Sequence, residues 1–162
     1  MRDHSISRRR ALAALGAIGL GASGLTLSAP RPTHAQTVGQ HETVDEALKR
    51  IFGARPMKDG SGVVKLDIPL IAENGAVVPV SVDVTSPMTP ANYVKTIYVV
   101  ADKNRIPIAF RTTLGPEAGQ AAIGATIRLG ETGDVRAIVE QSDGTLLAVK
   151  REVKVTVGGC GG

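Results

Sequence analysis

Tryptophan is absent from these 162 residues, phenylalanine and tyrosine occur twice each, and cysteine occurs once. A core must therefore be built from Val, Ile, Leu and Ala rather than around aromatic anchors. A single cysteine cannot close an internal disulfide, and an odd thiol points to intermolecular pairing or to reactive chemistry. Histidine is as scarce: His4 and His34 lie in the first 35 residues, leaving His41 for the remainder. No Cys/His spacing suits zinc, and a Cys–His pair would require His41 to reach the far end of the fold. Ser61 sits between Gly60 and Gly62, which is not a Gly-x-Ser-x-Gly elbow. No glycine-rich loop joins a strand to a helix in the way a phosphate requires. These absences leave no catalytic residue, no metal and no cofactor to assign.

The net charge of +4 has a local origin. Residues 1–35 carry five arginines and one acid, so the remainder has 14 basic and 14 acidic residues and no net charge. Nucleic-acid binding needs a persistent basic face, and none is left. The N-terminal stretch reads instead as an export signal. Basic residues precede an apolar run, Ala11 to Leu27, that glycines interrupt too often for a spanning helix. A polar segment then leads to Ala35, with Thr33 at the −3 position of a signal-peptidase cut. Arg8-Arg9 resembles the twin-arginine signal of bacteria, an ordinary Sec signal being the alternative. The expected location is the periplasm, with no membrane attachment after cleavage.

Residues 36–157 amount to one domain. Thr43 and Glu46 form a capping box, Val44, Ala47, Leu48 and Ile51 recur at helical spacing, and Gly53 is a natural stop. A short helix over Asp45–Phe52 follows, and then a loop from Arg55 to Gly62. From Val63 the period changes to two. Val64, Leu66 and Ile68 alternate with polar residues in a strand running on through Ile71. Asn74-Gly75 predicts a hairpin into Val78–Val84, in which Pro79 demands an edge or a bulge. Further strands are expected over Val94–Ala101, Ile106–Thr112, Ala125–Leu129, Val135–Glu140 and Thr145–Val157, with Leu114 to Ala122 as a loop. About seven strands with regular turn signals predict an all-β fold: one immunoglobulin-like antiparallel sandwich.

Beyond the last strand come Gly158, Gly159, Cys160, Gly161 and Gly162. Four glycines offer a sulfur nothing to be buried against, so Cys160 does not read as a core residue. Glycine lets such an arm take many backbone angles, and its thiol can enter a narrow pocket of another protein. A catalytic thiol needs the reverse, a fixed base in a dry site. Cys160 is therefore expected to carry a group rather than to catalyse, with Gly158, Gly159, Gly161 and Gly162 as a flexible arm.

The twin-arginine-type start, the single sandwich and the terminal Gly-Gly-Cys-Gly-Gly together resemble the SoxY family, the carrier proteins of the bacterial thiosulfate-oxidising Sox system. That resemblance implies a heterodimer with a SoxZ-like subunit and thiosulfate-derived intermediates, persulfide among them, held on Cys160. It implies SoxXA for conjugation, SoxB for hydrolysis and SoxCD, where present, for oxidation of the sulfane sulfur. Two other readings use the same residues: an exported module dimerised through a Cys160–Cys160 disulfide, and a thiol oxidoreductase lacking its second cysteine.

Overall fold

The structure is a computed structural model that describes residues 41–159. The expectations for the export signal with Arg8 and Arg9, the cut after Ala35, and Cys160, Gly161 and Gly162 lie outside the described residues.

Helix α1 runs Val44–Phe52, entered through the Thr43–Glu46 capping box, and Gly53 closes it at φ 64°. Among the described residues nine strands follow: β1 Met57–Asp59, β2 Val64–Asp67, β3 Ile71–Asn74, β4 Val78–Val84, β5 Val94–Ala101, β6 Ile108–Thr113, β7 Ala121–Ile127, β8 Gly133–Gln141 and β9 Leu146–Val157. They form two sheets. In the smaller, β4 lies between β2 and β7. In the larger the order is β1, β9, β8, β5, β6, and β3 joins β9 as well. The all-β sandwich is as expected, with two strands more and with two parallel pairings, β1 and β3 each running parallel to β9.

Those two strands share one edge of β9. Met57–Asp59 lies along Leu146–Ala148, and Ile71–Asn74 lies along Lys154–Val157. The segment expected as a loop around Met57 is a strand because β9 supplies its partner. Three residues between Pro56 and Gly60 carry too little alternation to reveal it. Similarly, the single strand expected through Ile71 divides at Pro69. Proline has no amide to donate to a ladder, so β2 stays in the smaller sheet and the chain crosses to the larger one as β3. The Asn74-Gly75 turn thus changes sheets instead of closing a hairpin. Ala76 donates its amide to the Asn74 side chain at 2.9 Å, while β4 pairs antiparallel with β2 and β7. Because β2 reaches only to Ser81, β4 is an edge at Pro79, as that residue requires. Finally, β7 begins at Ala121, inside the stretch expected as a loop, after a 3-10 turn at Pro116–Ala118. Its small residues pair along β4 from Val84 back to Val78.

The main core fills the space between the sheets with Val82, Val94, Ile97, Val99, Ala137, Val139 and Val153, none of them accessible to solvent. Burial of each such Val or Ile side chain contributes about 1.5–3 kcal/mol relative to exposure. A second cluster lies on the outer face of the larger sheet, where α1 covers Tyr98, Val100, Ile138 and Leu146 with Phe52. Phe52 and Tyr98 meet edge to face, 4.9 Å between centroids. Strand β5 is therefore apolar on both faces, which explains its unbroken run Ile97–Ala101.

Candidate functional site

The end of β9 is where the sequence placed its chemistry, and three loops meet there. They are the β3–β4 turn at Gly75-Ala76, the β7–β8 connection at Leu129-Gly130, and Gly158-Gly159. A closed relay of backbone hydrogen bonds joins them. Gly75 donates its amide to the Val157 carbonyl at 2.7 Å, Leu129 donates to the Gly75 carbonyl at 2.7 Å, and Gly159 donates to the Leu129 carbonyl at 3.0 Å. Gly75, Leu129 and Gly159 are all buried.

Backbone can pack this closely only where side chains are missing. A Cβ on Gly158 would stand 2.3 Å from the Gly130 carbonyl oxygen, and one on Gly159 would stand 2.7 Å from the amide nitrogen of Ala76. Neither residue has a positive φ. The first two arm glycines, expected as part of a freely turning segment, are instead clamped between two loops. Close approach, rather than conformational range, is what requires glycine here. The reach of the next residue is therefore measured from Gly159 and not from Val157.

The clamp has a side-chain support. Asn104, in the turn between β5 and β6, is one of two buried polar side chains among the described residues, the other being Thr96. Its Nδ2 donates to the Arg128 carbonyl at 2.7 Å, and its Oδ1 accepts from the Gly130 amide at 3.0 Å. Both bonds hold the loop whose Leu129 grips Gly75 and Gly159. Beside it, Asp102 and Arg136 form a two-pronged pair, Nε to Oδ1 at 2.8 Å, which holds the Arg136 guanidinium more firmly protonated than usual.

A depression of about 570 Å³ opens at this point, lined by His41, Lys103, Asn104, Arg105, Gly130, Glu131 and Gly159. His41 is thus not at the far end of the fold. The segment before α1 returns to the β5–β6 turn, where Glu42 donates its amide to the Arg105 carbonyl at 3.4 Å. Nothing in the sequence pattern signals that return. Among the described residues no three His, Cys, Asp or Glu side chains are grouped to hold a metal ion.

A family model for the sulfur oxidation protein SoxY matches residues 48–160. The chain belongs to the SoxY family. No curated protein matches its sequence. Among solved structures it is similar to the sulfur carrier protein SoxY from Chlorobium limicola f thiosulfatophilum, at 29% identity and a TM-score of 0.58, over 71% of this chain and 97% of that one. Two others share the fold alone. They are a superoxide reductase (neelaredoxin) from Ignicoccus hospitalis, at 20% identity and TM-score 0.51 over 70% and 93% of the two chains, and a superoxide reductase of Thermotoga maritima described as putative, at 16% and 0.50 over 62% and 93%.

The SoxY match takes in most of the helix, every strand and both clamped glycines, and it ends on residue 160. In this member of the SoxY family, the last matched residue directly follows the backbone clamp that ends at Gly159.

Proposed function

We propose that this chain is a periplasmic sulfur carrier of the Sox system, holding thiosulfate-derived intermediates covalently on Cys160. The observation that carries the reading is the endpoint of the family match, which falls on the chain's one cysteine. The C. limicola relative is itself a sulfur carrier protein. Further support comes from the clamp, which gives the residue before that cysteine a defined position on the end of the sandwich.

The chemistry asked of the thiol is balanced as follows. The Cys160 thiolate and thiosulfate join through a new S–S bond, giving Cys–S–S–SO3⁻ and releasing two electrons, one at a time, to a SoxXA-type haem enzyme and its electron acceptors. Water then cleaves the terminal S–S bond under a SoxB-type hydrolase, giving a cysteine persulfide and hydrogen sulfate. A SoxCD-type enzyme, where present, oxidises the persulfide sulfur. An ordinary thiol near pKa 8.5 is roughly 3% thiolate at pH 7, so activation falls to the partner enzyme. A SoxZ-like subunit completes the carrier. Leu70, Ile71, Val77 and Val157, each over 60% exposed on and beside β3 and at the end of β9, are apolar surface that a partner would cover.

Intact mass of the native protein, before and after reductant, tests the reading. Sulfur adducts that reductant removes, and that Cys160→Ser lacks while melting at the same temperature, are the expected result. A native mass showing only free thiol or a Cys160–Cys160 dimer would replace the carrier with a structural module.

A further inference from the structure

We propose that Asn74-Gly75 is a self-modification site, held unreactive by the backbone clamp and released whenever the clamp opens. The reaction is cyclisation of Asn74 onto the Gly75 nitrogen, and its isoaspartyl product keeps the clamp from closing again. The inference stands on described residues alone and does not depend on what residue 160 carries.

Three observations carry it. First, the chain has three asparagines, and Asn74 alone precedes a glycine, whereas Asn92 and Asn104 precede Tyr93 and Arg105. A following residue without a Cβ leaves its nitrogen free to reach the asparagine carboxamide carbon. Second, the electrophile is already set. Asn74 is exposed, and its Oδ1 accepts from the Ala76 amide at 2.9 Å, a bond that polarises the Cγ carbonyl. Third, the nucleophile is withheld. Gly75 is buried and donates its amide proton to the Val157 carbonyl at 2.7 Å. The nitrogen attacks only after losing that proton to hydroxide, and a buried, bonded N–H is shielded until the structure opens locally. Asn74 is also held in register with Val157 as the last residue of β3. In extended parallel backbone, ψ near about +115°, the side chain and the next nitrogen stand roughly a third of a turn from the eclipsed arrangement that a five-membered ring needs. Both restraints depend on Val157, so one opening releases both.

The reaction balances without an oxidant. The deprotonated Gly75 nitrogen bonds to Asn74 Cγ, the Cγ–Nδ2 bond breaks, and ammonia leaves a succinimide behind. Water then opens the ring at either carbonyl. Opening at Cγ gives aspartate, which keeps an oxygen for the Ala76 amide. Opening at the main-chain carbon gives isoaspartate, whose backbone runs on through Cβ and Cγ and is one carbon longer. The clamp has no room for that carbon, since even a Cβ on Gly75 would stand 2.3 Å from the Leu129 carbonyl oxygen. An isoaspartyl chain therefore loses the Gly75 bonds to Val157 and Leu129, and with them the seat of Gly159. Each opening of the clamp carries a chance of making the opening permanent.

The test follows deamidation at residue 74 by peptide mass in the full chain, with an isoaspartyl methyltransferase to count the rearranged product. Folded wild type is expected to react more slowly than the urea-unfolded chain by at least the factor that protects the Gly75 amide from hydrogen exchange. Gly159→Ala should speed the reaction about 5- to 150-fold, the ratio that matches a contact weakened by about 1–3 kcal/mol. Gly124→Ala should leave it unchanged. Should Gly159→Ala fail to fold, Asn104→Ala frees the loop that grips Gly75 and is expected to accelerate the reaction as well. The isoaspartyl fraction should lose exchange protection at Leu129 and Gly159, which Asn74→Asp keeps. Equal rates in folded and unfolded wild type, or no acceleration in the folded variants, overturn the guarded site. Isoaspartyl chains that still protect Leu129 and Gly159 overturn the permanent opening.

Discussion

Gly75 and Gly159 each occupy the space in which the other's Cβ would stand. A Cβ on Gly75 would lie 2.8 Å from the Gly159 nitrogen, and a Cβ on Gly159 would lie 2.7 Å from the carbonyl of Gly75. The two residues are remote in sequence and pack backbone to backbone.

Gly75→Ala and Gly159→Ala are each expected to destabilise the fold by about 1–3 kcal/mol, the ordinary cost of forcing atoms into a filled space. Because the two share one contact, the double variant should cost less than the singles combined. Gly124→Ala is the control, since nothing lies within 4 Å of its Cβ position. Denaturant melts of the four proteins check this. Additive losses would mean that the two sites relax independently.

Asn104→Ala removes both bonds to the β7–β8 loop and leaves the Gly130 amide and Arg128 carbonyl without their partner. Losing a buried partner of this kind costs about 1–3 kcal/mol. Hydrogen exchange should locate the damage, with the amides of Leu129 and Gly159 opening fastest while those in β5 and β8 keep their protection. Uniform loosening of all strands would show that Asn104 supports the sandwich rather than the clamp.

Helix α1 should lose stability in acid. The Thr43 backbone amide and then its hydroxyl hold the Glu46 carboxyl below its ordinary range, and Arg50 does the same for Glu42. A carboxylate lowered by folding stabilises above the ordinary glutamate value, and that contribution is lost as pH falls through its folded value, below about pH 4.3. Amide exchange at Ala47 and Leu48 is expected to quicken across that range in wild type. In Thr43→Ala the part of the Glu46 change that comes from the hydroxyl should be absent, while the part held by the residue-43 backbone amide remains.

The helix and its cap were legible in the sequence because capping is local, settled by Thr43, Glu46 and Gly53 within one stretch. Strand β5 was legible from eight residues of β-forming sequence. The failures share one cause, which is that pairing is decided by distant partners. Met57–Asp59 is a strand only through β9, and Asn74-Gly75 gave a correct turn but not the hairpin, because Pro69 had already sent the chain across to the other sheet. The same holds at the candidate site. The glycines around residue 160 were visible, but their packing on Gly75 and Gly130 joins loops far apart in the chain. His41 stood isolated in the sequence because only the fold returns it to the β5–β6 turn.

Strand β9 also sets how the molecule answers a pull. It is bonded to β8 along Leu146–Val153 on one side, and to β1 and then β3 along most of the other. Backbone bonds between strands run across the strand axis. Traction on the C-terminal end, directed along β9, therefore loads these rows in shear, all together, instead of opening them one by one. A pull of this kind meets a stiff direction of the sandwich, and the strain is spread over the β9 ladder before it reaches the valine core.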